Sequence, residues 1–142
     1  KINILGDLRA LPKEIRECLL QSMSRTKNSK KIIVNLAINY GSKHEILNAH
    51  KKLAKKKMSI SFKNFEKNLY TKDLPKPDFL IRTGGENRLS NFLLWQLAYS
   101  ELYFVKKLWP DFKVLDYIKI IKNFKKVKRK FGNIWAIFKK ES

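Results

Sequence analysis

Residues 78–104, "DFLIRTGGENRLSNFLLWQLAYSELYF", carry three signals in succession: a short apolar run, a Gly-Gly turn set with charges, and an aromatic-rich stretch. "FLIRT" (79–83) has the β-branched and aromatic content of a strand, and "DLPKPD" (73–78) is a proline-stiffened entry into it. After the turn, the pattern from Ser90 to about Ser100 reads as a helix, followed by a short strand over "LYF". Strand, glycine turn and helix in that order form the junction at which α/β sheets bind their ligands.

The flanking sequence repeats the alternation. "INILG" (2–6) reads as a strand, and "PKEIRECLLQSMSRT" after it reads as a helix with Pro12 in its first turn and Ile15, Leu19 and Met23 along one side. "KIIVNLAINYG" (31–41) reads as a central parallel strand buried on both faces. The next helix, over "SKHEILNAHKKLAKKK", is expected to be capped by Ser42 with Glu45 completing a capping box, and to turn Ile46, Ala49 and Leu53 inward. A shorter helix is expected across "FKNFEKNLY", and "WPDF" reads as a rigid turn. "VLDYIKIIKNFKKVKRKF" closes the pattern as a long helix with Val114, Ile118, Ile121 and Phe124 facing inward. The expected fold is therefore α/β, a mostly parallel sheet flanked by helices.

Composition narrows the classes. The 142 residues are 44% apolar, enough for a core, and the sequence contains no apolar run near the roughly 20 residues of a membrane-spanning helix. A single cysteine, Cys18, leaves no internal disulfide, and its place among apolar neighbours predicts core filling rather than reactivity. The formal charge of +20 would suit nucleic acid, an anionic membrane or a polyphosphate. The excess is nearly all Lys, however, scattered through the chain, whereas a base-reading surface gathers the planar Arg fork on one face. Solvated lysine on helix faces is the simpler account, and no nucleic-acid partner is expected. His44 and His50 lie six residues apart, which is not the spacing of a metal-binding helix, and both are expected in solvent.

The charged turn is the chemical focus. Arg82 falls at the end of its strand, Gly84 and Gly85 allow a sharp turn with close backbone approach, and Arg88 lies two residues before Ser90. With Ser90 capping a helix, free N–H groups and two guanidinium groups would together suit a diphosphate. Glu86 is placed to pair with either arginine. Glu101 follows the aromatic stretch, and a carboxylate near a phosphate site is repulsive unless a cation such as Mg²⁺ lies between them. Phe92, Trp95, Tyr99 and Phe104 are expected in the core.

"DLPKPDFLIRTGGENRLSNFLLWQLAYSELYF" followed by "LWPDF" resembles the cis-prenyltransferases, bacterial undecaprenyl diphosphate synthases in particular. The likeness extends upstream through "GDLRALP" and "VNLAINYGSKHEI" and downstream to "KRKFG". The resemblance implies an enzyme that adds isopentenyl diphosphate to an allylic diphosphate such as farnesyl diphosphate, forming cis double bonds with Mg²⁺ and building a carrier lipid for the cell wall. It implies that Arg82, Arg88, Leu89 and Ser90 bind substrate and that Glu101 binds the metal. It further implies a homodimer in the cytoplasm, with peripheral membrane contact through the lipid product. The family's Asp-Gly-Asn-Gly-Arg-Trp segment has no counterpart in residues 1–142. The chain is thus expected to correspond to the C-terminal part of a single domain, without the family's catalytic residues, and to be inactive alone. The family's Arg-x-Gly, which reaches across the dimer, reads Lys130-Phe131-Gly132, and the position after Gly-Gly-Glu is Asn87. A non-catalytic subunit of a heteromeric prenyltransferase and a basic nucleic-acid-binding module are the alternatives. The first loses weight because such subunits tend to lose the Arg-Thr-Gly-Gly-Glu site that this chain keeps.

Overall fold

In the computed structural model, which describes residues 1–129, strands and helices alternate as the sequence pattern requires except between the last two strands, where no helix forms. The order is β1 (Ile2–Leu5), α1 (Lys13–Thr26), β2 (Val34–Ala37), α2 (Ser42–Lys55), α3 (Phe62–Glu66), β3 (Phe79–Thr83), β4 (Glu101–Val105) and α4 (Val114–Phe124). Short 3₁₀ turns lie at Leu8–Ala10 and at Trp109–Asp111, the latter inside the expected "WPDF" turn. The strands form two separate two-stranded sheets, both parallel. The described chain divides into two units: residues 1–75 with 89–95, and residues 76–88 with 96 onward.

In the first unit β1 and β2 pair with Ile2 opposite Val34 and Leu5 opposite Ala37. Thr26, ending α1, accepts a hydrogen bond from the Ile2 amide at 2.9 Å and donates to the Ser22 carbonyl at 2.8 Å, which ties the helix end to the strand start. Gly6 then leaves β1 at φ +131°, where a Cβ would lie 2.1 Å from the Ile38 carbonyl oxygen, so only glycine fits. The core gathers Leu5, Ala49, Leu53 and Leu69, with Tyr40 edge-on to both Tyr70 and Phe92. Trp95 packs on Phe65 at 4.6 Å between ring centroids.

Several expectations fail in this unit. β2 is exposed along its whole length instead of buried, because β1 is its only hydrogen-bonded neighbour among the described residues. Cys18 is exposed rather than in the core. α3 ends at Glu66 rather than near Tyr70. α2 starts where expected but is not closed by a capping box. Its N-cap is Gly41, and Ser42 and Glu45 are both buried and turned to other tasks. The capping comes from 48 residues away: Asn91 accepts from the Lys43 amide through its side chain and from the Ser42 amide through its carbonyl, both at 2.8 Å.

That same contact explains the largest departure. Residues 90–99 form turns and not a helix, with Ser90, Asn91 and Leu93 at positive φ. In a helix the Asn91 carbonyl would accept from residue 95 and the Leu94 amide would donate to residue 90. Here the Asn91 carbonyl is taken by Ser42, and the Leu94 amide donates to Ser42 Oγ at 3.0 Å. Capping α2 and continuing a helix compete for the same backbone groups, and capping wins.

In the second unit β3 and β4 pair with Phe79 opposite Glu101 and Arg82 opposite Phe104. The Glu101 amide donates to the Asp78 carbonyl at 3.1 Å, and Ser100 Oγ donates to the Pro77 carbonyl at 2.7 Å, setting this register from the strand entrances. Phe79 meets Tyr103 edge-on and Phe124 at 5.1 Å, which seats α4 on the sheet face carrying Phe79, Ile81, Glu101 and Tyr103. α4 stops at Phe124, before the run of lysines that the sequence pattern had included. Its buried residue is Ile120, with Ile121 and Phe124 half-buried. Val114 and Ile118, expected to face inward, are exposed. Tyr99 and Phe104 also lie outside the core.

Candidate functional site

β3 delivers Arg82 to its C-terminal end, one residue before the glycine turn. Gly84 and Gly85 adopt φ +96° and +80°, and their amides donate to the Lys107 and Val105 carbonyls at 2.8 and 3.0 Å. The turn is thereby bolted to the far end of β4, and no other residue type would hold this backbone without strain. A Cβ at Gly84 would meet nothing within 4 Å, so the space beside it is open to a ligand.

Arg82 donates through Nη1 to the Arg88 carbonyl, bending the loop back onto the strand end. Arg88 in turn donates to Glu86, an ion pair between half-exposed side chains. Glu86 thus pairs with Arg88, one of the two partners its position allowed. Leu89 and Ser90 belong to the segment 89–95 of the first unit, and Ser90 is exposed at φ +46°. No helix starts at Ser90, so the expected helix N-terminus is absent from the anion-binding features, which rest on the two arginines and the glycine backbone.

Glu101 opens β4 and is half-buried. Among the described residues its carboxylate has no hydrogen-bond or ion-pair partner. Its position relative to Arg82 follows from the register. Phe79 faces Glu101, so Arg82 sits three rungs away, about 10 Å along the strands. An odd number of steps also puts the two side chains on opposite faces of the sheet, Glu101 on the face that α4 covers and Arg82 on the other. Magnesium takes one or two carboxylates together with phosphate oxygens. Glu101 supplies one carboxylate, and a diphosphate held by Arg82 and Arg88 of the same chain would lie at the other end and other face of the sheet. Among the described residues, Arg82, Arg88 and Glu101 of one chain therefore do not by themselves close a magnesium site. No group of three or more His, Cys, Asp or Glu side chains able to hold a metal occurs among the described residues. His44 and His50 are exposed on α2, as their spacing suggested. Lys130 and Gly132 lie outside the described residues.

Sequence reasoning missed Asn91 and gave Glu45 a capping role in place of its buried one. Glu45 Oε2 accepts from Tyr40 Oη at 2.5 Å and Oε1 from the Tyr70 amide at 2.7 Å, joining the loops before α2 and before β3. A carboxylate among Ile46, Ala49 and Leu53 on an inner stripe was the available signal, since a buried charge must be answered by donors.

The comparisons with known proteins agree with one another. Residues 1–132 match the prenyltransferase family model described as "Putative undecaprenyl diphosphate synthase". An isoprenyl transferase of Oceanobacillus iheyensis is 40% identical over 141 residues, covering 94% of this chain and 56% of that protein. The isoprenyl transferase of Chlamydia trachomatis is 45% identical over 139 residues, covering 93% of this chain and 55% of that protein. Among solved structures, a "probable undecaprenyl diphosphate synthase" from Campylobacter jejuni superposes with a TM-score of 0.85 at 39% identity, covering 93% of this chain and 62% of that one. Lavandulyl diphosphate synthase from Lavandula x intermedia, in complex with dimethylallyl diphosphate, gives 0.86 at 33% identity, over 93% and 60%. The chain spans little more than half the length of these curated relatives. By its match to the family model and its identity to these relatives, it belongs to the undecaprenyl diphosphate synthase family of prenyltransferases.

Proposed function

We propose that the protein carrying this chain condenses isopentenyl diphosphate with an allylic diphosphate such as farnesyl diphosphate to give a long-chain cis-polyprenyl diphosphate, as the undecaprenyl carrier. The observation that carries this reading is the 40–45% identity, over nearly the whole chain, to proteins named isoprenyl transferase. The Arg82–Arg88 turn is its chemical counterpart. Two guanidinium groups beside an open glycine backbone suit the paired oxygens of a diphosphate, and the turn would seat isopentenyl diphosphate. By the family resemblance, Leu89 and Ser90, which follow the turn in sequence, are also proposed to bind substrate. Once a ligand arrives, the Arg82 contact to the Arg88 carbonyl and the Arg88 contact to Glu86 are the ones to be exchanged.

Glu101 is the proposed Mg²⁺ ligand. Since Arg82 and Glu101 of one chain face apart, the pair would act on one diphosphate only across a subunit contact, with each chain's Glu101 serving its partner's arginines. This reading calls for a homodimer. Cytoplasmic location and contact with the membrane through the product complete the proposal. No helix among the described residues is long and apolar enough to cross a membrane. Nothing in the described residues favours a non-catalytic subunit or a nucleic-acid-binding module.

The test is complementation with labelled isopentenyl diphosphate and farnesyl diphosphate. Arg82→Ala and Glu101→Gln homodimers should each lose most polyprenyl synthesis, and Glu101→Gln should also need more Mg²⁺ for its residual activity. A mixed dimer of the two variants should regain up to half of wild-type activity, because one of its two sites escapes both substitutions. A mixed dimer as inactive as its parents would place both residues in one chain's site. Full activity in both single variants would overturn the assignment of the turn.

A further inference from the structure

The first unit contains a cavity of about 470 Å³ lined by Gly6, Asp7, Arg9, Asn48, Lys51, Lys52, Lys55 and Tyr70. One wall is the turn that follows β1. The other is a single stripe of α2, since 48, 51, 52 and 55 are spaced as neighbours on one helix face. Four of the lining side chains are cationic and one is acidic. The acid is already committed: Asp7 accepts from Arg9 Nε at 2.9 Å and from Arg9 Nη2 at 2.7 Å. That fork holds the Asp7 carboxyl well below the usual carboxylate range. Lys51, Lys52 and Lys55 have no carboxylate partner among the described residues, and Lys52 stands 5.6 Å from the centroid of the Tyr70 ring. Asn48 Nδ2 donates to the Tyr70 hydroxyl at 3.5 Å, which presents two more polar groups to the same space. A neighbouring cavity of about 380 Å³ shares Asp7 and Tyr70 but adds no lysine or arginine, so the cations gather on one side.

Like charges three and four residues apart on a helix repel and cost stability unless an anion screens them. Solvation alone would leave these lysines splayed from any surface, yet here they border a concave space with an aromatic floor. Ammonium groups are compact point charges that suit phosphate oxygens, whereas a planar carboxylate is better met by an arginine fork. Arg9 already spends its fork on Asp7. We propose that this cavity is a second anion site, distinct from the Arg82–Arg88 turn, which binds a phosphorylated anion with at least two phosphate charges. The ligand chemistry is shared by a free diphosphate and by anionic lipid headgroups, and the two sources separate experimentally.

The experiment is lysine footprinting of the whole protein with an amine-acetylating reagent, read by mass spectrometry, in buffer without Mg²⁺. Inorganic pyrophosphate is expected to protect Lys51, Lys52 and Lys55 at least fivefold over Lys13 and Lys30 on other surfaces. It should do so at a tenfold lower concentration than inorganic phosphate. The Arg82→Ala/Arg88→Ala variant should keep this protection, which separates the site from the substrate turn. In a Lys51→Gln/Lys55→Gln variant, Lys52 should lose it. Protection by phosphatidylglycerol vesicles, with none by phosphatidylcholine vesicles or by pyrophosphate, would assign the same cations to lipid headgroups. Uniform modification in every condition, or equal protection by sodium chloride of matched ionic strength, overturns the proposal.

Discussion

At Arg82 and Arg88 the cost of substitution depends on what each guanidinium touches before a ligand arrives. Arg82 holds the Arg88 carbonyl and Arg88 holds Glu86, so both are oriented in advance. Replacing either by Ala should raise the Michaelis constant for isopentenyl diphosphate more than that for the allylic substrate. A charge-assisted hydrogen bond contributes about 1.5–3 kcal/mol, which corresponds to roughly ten- to hundredfold. Lys at either position should restore only part of the loss, because a point charge cannot make the paired contact. Steady-state kinetics with each substrate varied in turn checks this, and unchanged constants for both would remove the arginines from the site.

At the scale of elements, α2 depends on contacts that no local pattern encodes. Asn91→Ala removes the acceptor for the Lys43 amide and places a Cβ-bearing residue without a polar side chain at φ +62°. A lost N-terminal cap costs about 1 kcal/mol, so chemical denaturation should show that loss, while Asn91→Asp should stay near wild type because it keeps the acceptor. Tyr40 reports on the same helix. Burial first, then its hydrogen bond to Glu45, pushes the Tyr40 phenol well above its ordinary value. The folded state therefore favours the protonated phenol. The associated stability is fully present below the unfolded value of about pH 10 and is lost as pH rises through the higher native value. Tyr40→Phe should be less stable at neutral pH, by about 1–3 kcal/mol for the donor that Glu45 loses. The gap between wild type and variant should hold from pH 7 to 9.5 and shrink above pH 10. A gap that widens with pH would contradict the direction of the shift.

For the whole molecule the governing quantity is the charge of +20. Most ion pairs in the described residues join side chains of which at least one is half-exposed or more, and such pairs contribute little. Self-repulsion among the lysines should outweigh them. The thermal midpoint should therefore rise with sodium chloride between 50 and 500 mM, as screening shortens the reach of the repulsion from about 14 Å to about 4 Å. A midpoint that falls with salt would show that attractive pairs dominate instead.

The strands, their parallel pairing, the helices α1, α2 and α4 and the glycine turn between Arg82 and Arg88 were legible in the sequence, because each rests on local chemistry. Apolar runs with β-branched residues make strands, helical spacing makes α1, α2 and α4, and Gly84-Gly85 between two arginines can do few other things. What depended on partners distant in the chain was not legible. The aromatic stretch after Ser90 has helical spacing, yet Ser42 takes the Asn91 carbonyl and supplies the acceptor for the Leu94 amide, so turns form there. β2 carries an apolar pattern on both faces, which records what the strand can bury and not which elements cover it. The sequence marked Glu101 as a carboxylate beside the charged turn and left its distance from the arginines open. Only the register of β3 against β4 put it three rungs from Arg82 and on the opposite face, since side-chain direction along a strand alternates and a pairing offset is set by tertiary contacts.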